Sequence, residues 1–168
     1  MPDDAFTIDT SSVIQVRRIV VRDHQSTVFS KLTELVVAGK LFYPKEVPPE
    51  LDRHSNQDSS VQDLPRDWAK LNSSIATHHA VPFETVKAVL AQVPEILDPE
   101  KSGVEEADPY VLALAIHLQE QGKQVTVLTE ERKDRPDKMS LTTACGVLRL
   151  PCLPMMTFLK RNGIWQPS

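Results

Sequence analysis

Five carboxylates stand where a metal-using site could be built: Asp9, Glu50, Asp108, Glu130 and Glu131. Carboxylates packed together repel one another and take up protons, a problem that a hard divalent cation removes. Oxygen-only ligands of this kind suit Mg²⁺ or Mn²⁺. Each acid also has a plainer reading. Asp108 before Pro109 has the form of a helix N-cap, and Glu50 could simply complement a helix dipole. Asp9, followed by three hydroxyl residues, could close an Asx turn, and Glu130 and Glu131 belong to a charged loop whose acids are ordinarily solvated. No single position decides the matter; the ordered set does.

Other chemistries find less material. His24, His54, His78, His79 and His117 have no partner at ligand spacing and read as structural or solvated. Cys145 and Cys152 form no CxxC and have no histidine at zinc spacing, so they read as small buried hydrophobes of a reducing compartment. Neither GxGxxG nor GxxxxGK occurs, which removes the dinucleotide and P-loop readings.

The acids need elements to position them. A strand is expected over 6–8, ending at Asp9, and a helix from Ser26 with Val28, Leu32, Leu35 and Val36 on one face, stopped at Gly39. A second strand is expected over 41–43. The run from Val47 through Glu50 starts a helix, because proline is tolerated in a first turn. The polar stretch 52–61 reads as a mobile loop, and helices are expected over 65–75 and 82–93. The strongest helix spans 107–121, apolar nearly all round from Tyr110 to Ile116 and therefore buried on more than one side. A strand over 125–128, a charged loop over 129–138, a last strand over 147–150 and a closing helix over 153–162 complete the chain. Strands alternating with helices indicate an α/β fold with a parallel sheet. Functional residues of such sheets collect at the carboxyl ends of the strands, where Asp9, Glu130 and Glu131 fall.

Four segments, Phe6-Thr-Ile-Asp9-Thr-Ser11-Ser, Val47-Pro-Pro-Glu50-Leu51, Ala107-Asp108-Pro-Tyr-Val-Leu-Ala-Leu-Ala115 and Val127-Leu-Thr129-Glu130-Glu131, occur in the order and approximate spacing of the PIN domain. The chain resembles most the branch of PIN-like proteins catalogued as the DUF4411 family. Trp68 and the Cys145-Gly146-Val147 stretch extend the likeness over nearly the whole sequence. The resemblance implies a single PIN-like domain over 1–168, a three-layer sandwich with a central parallel sheet flanked by helices. It also implies a divalent-metal-dependent endoribonuclease that cleaves RNA with metal-activated water, of the kind that forms the toxin half of a toxin–antitoxin pair. By that likeness Asp9, Glu50 and Asp108 bind one or two Mg²⁺ or Mn²⁺ ions. The fourth acid, two residues after Thr129, is Glu131, with Glu130 as the alternative. Ser11 and Thr129 match hydroxyls that orient the carboxylates.

Phosphate binding needs cations, and Arg17, Arg18 and Arg22 follow the first motif while Arg132, Lys133, Arg135 and Lys138 follow the fourth. RNA is the expected substrate and a small antitoxin protein an expected partner, with room left for a homodimer. Two competing functions stand beside the nuclease. A catalytically reduced PIN-like module that only binds RNA or protein is favoured by Glu in place of the more usual fourth Asp. A haloacid dehalogenase-type phosphatase also begins with a strand ending in Asp, but it needs a second Asp two residues on, and here that position is Ser11.

Composition bounds the rest. The 168 residues suit one domain, and 40% hydrophobic with 25% charged content supports a real core. Nineteen Lys and Arg against 23 Asp and Glu give a net charge of -4, which argues against a wholly basic coat protein but not against a local basic groove. Two divalent ions in an acidic pocket would cancel that surplus. The acidic N-terminus lacks the features of a signal peptide and no apolar run is long enough to span a bilayer, so a cytoplasmic protein without membrane contact is expected.

Overall fold

The computed structural model describes residues 3–55, 62–101 and 104–168. Four parallel strands, β1 (Asp4–Ile8), β2 (Leu41–Phe42), β3 (Gln124–Leu128) and β4 (Cys152–Leu153), form one sheet in the order β2-β1-β3-β4. Eight α-helices among the described residues flank it: α1 (Thr10–Ile19), α2 (Arg22–Val37), α3 (Val47–His54), α4 (Leu64–Ala76), α5 (Phe83–Gln92), α6 (Asp108–Glu120), α7 (Leu141–Leu148) and α8 (Met155–Arg161). This is the α/β three-layer sandwich expected of alternating strands and helices. Right-handed crossovers put the β1–β2 helices on one face of the sheet and α6 on the other. Phe158 of α8 meets Phe6 of β1 edge-on at 4.8 Å, while α6 covers both β1 and β3.

Strands β1, β2 and β3 are buried on both faces, which is why they read as short β-branched and apolar runs rather than as polar alternation. Ala5, Thr7, Ile8, Val125, Val127 and Leu128 are all buried. In α6, Val111 to Ala115 are buried without a break, so the helix is enclosed by the sheet on one side and α5 on the other. Gly39 and Gly122 follow α2 and α6 with φ of 71° and 90°, the left-handed stop that glycine adopts without strain.

Four expectations need correction. The mostly apolar stretch 147–150 is not a strand: Val147 and Leu148 end α7, Arg149 takes a left-handed φ of 59°, and the strand comes later, at Cys152–Leu153. The Ser140 hydroxyl accepts from the Thr143 N–H and so starts a helix upstream of that run. Residues 10–12 are not a turn but the first turn of α1, and α2 begins at Arg22, four residues before Ser26. The proposed loop 52–61 begins inside α3, which runs to His54; its part over 56–61 lies outside the described residues.

Candidate metal centre

The strand order places the site. From β1 the chain crosses to β2 on one side, while β3 leads to β4 on the other, so the ends of β1 and β3 border the crevice where the winding reverses. Ile8 pairs with Leu128, which sets Asp9 and Thr129 side by side just beyond the sheet. Asp108 arrives at the same place as the first residue of α6. Carboxylate oxygens of Asp9, Asp108 and Glu131 all lie within 4.8 Å of one another.

Asp9 is 1% exposed and held on every side. Its carboxylate accepts from the Ser11 hydroxyl at 2.8 and 2.9 Å, from the Ser12 N–H at 2.8 Å and from the Thr129 hydroxyl at 2.6 Å. The Ser12 bond makes Asp9 the N-cap of α1, so the capping role and the site role belong to one residue. Thr129 also accepts from the Glu131 N–H at 3.1 Å, and Ser11 accepts from the Glu130 N–H at 3.1 Å. The two hydroxyls therefore fix Asp9 and the loop bearing Glu131 as one unit, the orienting arrangement that metal-binding carboxylates use. With its hydroxyl given to Asp9, Ser11 is also no substitute for the acid that phosphatase chemistry needs.

Burial is costly for these acids. It pushes the Asp9 carboxyl up to about 7 despite the three lowering hydrogen bonds, with the Glu131 charge adding to the rise. Asp108 is raised well above the ordinary range by burial first and then by Glu131, with Asp9 and Glu50 also contributing. Asp108 does not cap its helix; Ala107 takes that position, and the Asp108 carboxylate is free to face the cluster.

Glu50 and Glu130 are placed differently. Glu50 Oε2 accepts from the Ala107 N–H at 2.9 Å, tying α3 to the start of α6, and lies close enough to raise Asp108 electrostatically without joining the tight cluster. Glu130 Oε2 accepts from the Met155 N–H at 2.8 Å and so caps α8, which leaves Glu131 as the loop acid in the cluster.

Lys138 is the residue whose place the sequence did not signal. It is 9% exposed, and its Nζ donates to Asp108 Oδ2 at 3.2 Å and Glu131 Oε1 at 2.9 Å. Instead of facing solvent it sits among the acids. The other expected cations lie outward: Arg18, Arg22, Arg132 and Lys133 are exposed, Arg17 pairs with Asp63 at 3.3 Å and Arg135 with Asp98 at 2.8 Å. Lys101, Lys133, Arg135 and Lys138 line a cleft of about 350 Å³ that opens beside Glu131.

A family model described as a domain of unknown function, DUF4411, matches residues 6–165. The chain belongs to the DUF4411 family. The match takes in Asp9, Glu50, Asp108, Glu130, Glu131 and Lys138, so the whole site lies within the DUF4411 domain. No curated protein and no solved structure matches the chain. No helix among the described residues is long and apolar enough to cross a membrane.

The donor set suits a hard divalent ion. Three carboxylates supply only oxygen, with Glu50 beside them, and Lys138 provides a single compensating charge. Thr129→Val keeps the side-chain shape and removes the hydroxyl that joins Asp9 to the Glu131 backbone. Isothermal titration of this variant with Mn²⁺ is expected to show about 10- to 100-fold weaker binding than wild type.

Proposed function

We propose that this DUF4411 protein is a divalent-metal-dependent endoribonuclease with a PIN-like site. The observation that carries the reading is the convergence of Asp9, Asp108 and Glu131, from three distant segments, at the reversal point of a parallel sheet. Mg²⁺ or Mn²⁺ held there would supply Lewis acidity toward a phosphodiester and a water of lowered pKa. The chain's own part is to orient Asp9 through Ser11, Ser12 and Thr129, and to keep the buried Asp108 and the half-buried Glu131 at short range. Lys133, which lines the cleft next to Glu131, and the exposed Arg132 before it would hold phosphates along the RNA backbone. The resemblance to PIN toxins supports a toxin role in the cell, with a small antitoxin protein as partner.

Lys138 favours a second reading. Its ammonium already neutralises part of the cluster, as a permanent replacement for a metal would in a module that binds RNA without cutting it. Incubating the protein with labelled single-stranded RNA separates the two. The nuclease reading expects Mg²⁺- or Mn²⁺-dependent cleavage that EDTA stops. Cleavage no greater than that of an Asp9→Asn control would leave the binding module as the better account.

A further inference from the structure

A second site lies at the end of β2. Beyond that strand a cavity of about 460 Å³ opens between the start of α3, the 77–81 segment that follows α4, α5 and the start of α6. That volume is ample for a nucleobase-sized ligand. One wall carries Glu46, which is 7% exposed. Apart from its own N–H, no described residue donates a hydrogen bond to the Glu46 carboxylate; it is the N-cap residue of α3 but makes no side-chain cap bond. Its carboxylate opens onto the cavity, and burial together with the nearby Glu105 charge pushes it above the ordinary range, with Lys45 of the same cavity acting against the rise. Its chemistry asks for a ligand that donates to both oxygens.

Flat rings line part of the remaining wall. His78 and His79 pack with centroids 4.1 Å apart, and His79 stands edge-on against Phe42 at 5.1 Å. Phe83, 66% exposed, lies at the cavity, and Tyr110 closes it near α6. Imidazole and phenyl faces are the surfaces on which single-stranded RNA bases stack. Among the four bases only guanine presents two adjacent donors, N1–H and the N2 amino group, on its Watson–Crick edge. Adenine and cytosine pair one donor with an acceptor, and uracil flanks its single donor with two carbonyls, so each sets an acceptor against the carboxylate.

We infer that this cavity is a guanine-binding subsite, with Glu46 accepting from N1–H and N2–H of a base that stacks against the His78, His79 and Phe83 rings. Its place fits one nucleotide beside the cut. Glu46 lies one turn of α3, about 6 Å, before Glu50, and the β2, β1 and β3 ends set the cavity, Asp9 and the basic cleft in that order along the sheet edge. The RNA context rests on the nuclease reading; the base pocket itself does not.

Titration of the metal-free full-length protein with nucleosides, followed by NMR, tests the inference. Guanosine is expected to bind at least tenfold more tightly than inosine, which lacks only the N2 amino group, and more tightly than adenosine, cytidine or uridine. Glu46→Gln should bring guanosine to the inosine level while the variant melts no lower than wild type. Equal affinity for guanosine and inosine in the unaltered protein, or no nucleoside binding, would overturn the subsite. Running RNA cleavage in parallel keeps the two proposals apart. Metal-dependent cleavage with no preference for guanine positions and no guanosine binding removes the subsite and leaves the nuclease. Selective guanosine binding without cleavage does the reverse.

Discussion

Asp9→Asn and Asp108→Asn are each expected to abolish RNA cleavage, and Asp9→Asn is expected at the same time to raise the melting temperature of the metal-free protein at pH 8. The two effects come from one cause. Asp9 is buried, and its carboxyl rises from an ordinary 3.8 to about 7 in the folded chain. Between those values the folded state holds a proton that the unfolded state has released, so stability falls as pH rises through that window and is lowest above pH 7. Asn removes the charge, keeps the N-cap contact with Ser12 and leaves the Ser11 and Thr129 hydroxyls free to rotate toward the amide. The gain at pH 8 should be about 2–4 kcal/mol, shrinking toward zero below pH 4. Metal binding needs the ionised form, so Mn²⁺ affinity of the wild type should climb through pH 7 and be lost in Asp9→Asn. Thermal melts at pH 4, 6 and 8 with and without Mn²⁺ check both parts. A variant that is less stable than wild type at pH 8 without metal would mean that the ionised Asp9 is a structural asset, not a vacancy awaiting a cation.

Lys138→Met should act in the opposite direction. The ammonium is the one cation bonded to Asp108 and Glu131 among the described residues, and it remains charged, because the two carboxylates hold its pKa up against burial. Deleting one partner of a buried ionic group leaves the rest uncompensated, at a cost of about 3–5 kcal/mol. That loss should shrink as the pH falls and Asp108, raised by burial and then by the Glu131 charge, takes up a proton and needs the partner less. Under the nuclease account Lys138 competes with the metal for the same oxygens. The variant should then bind Mn²⁺ roughly tenfold more tightly, about 1.4 kcal/mol, and saturating Mn²⁺ should restore most of its stability. If Lys138 is instead a permanent substitute for the ion, neither wild type nor variant gains stability from Mn²⁺. Denaturant titration with and without the metal distinguishes these outcomes.

Much of the fold was legible because its elements end on strong local signals. Strand β1 runs into Asp9, α6 opens at Asp108-Pro109, and Gly39 and Gly122 stop two helices. The run 147–150 misled for a physical reason: Val147, Leu148 and Leu150 around Arg149 suit a strand or the end of a helix equally, and only the Ser140 cap upstream decides between them. The hydroxyls after Asp9 misled similarly, since a residue that caps a helix and one that makes a turn use the same side-chain bond.

At the site, residue types were readable but pairings were not. Asp9, Asp108 and Glu131 converge because β1 and β3 are neighbours in register, a fact of strand order that no local pattern carries. Glu130 and Glu131 are adjacent and chemically alike, yet one caps α8 and the other enters the cluster, because successive side chains leave the strand end on opposite sides. Lys138 looked like one more cation of a charged loop. Its inward turn goes with the local bridge between Arg135 and Lys138 and with the Met139 N–H bonding the Glu95 carbonyl, a tertiary contact. Glu46 gave no signal at all, since a glutamate before a helix is unremarkable until its burial and lack of donors are seen.

The account stands most directly on whether the carboxylate cluster holds a divalent ion. Crystals of the wild-type protein soaked in Mn²⁺ at pH 8 and measured at the manganese edge answer this without reference to activity or substrate. The account predicts an anomalous peak bonded to Asp9, Asp108 and Glu131 oxygens, with the Lys138 ammonium displaced from at least one of its two carboxylates. An absence of anomalous density there, with Lys138 still bridging Asp108 and Glu131, would contradict it.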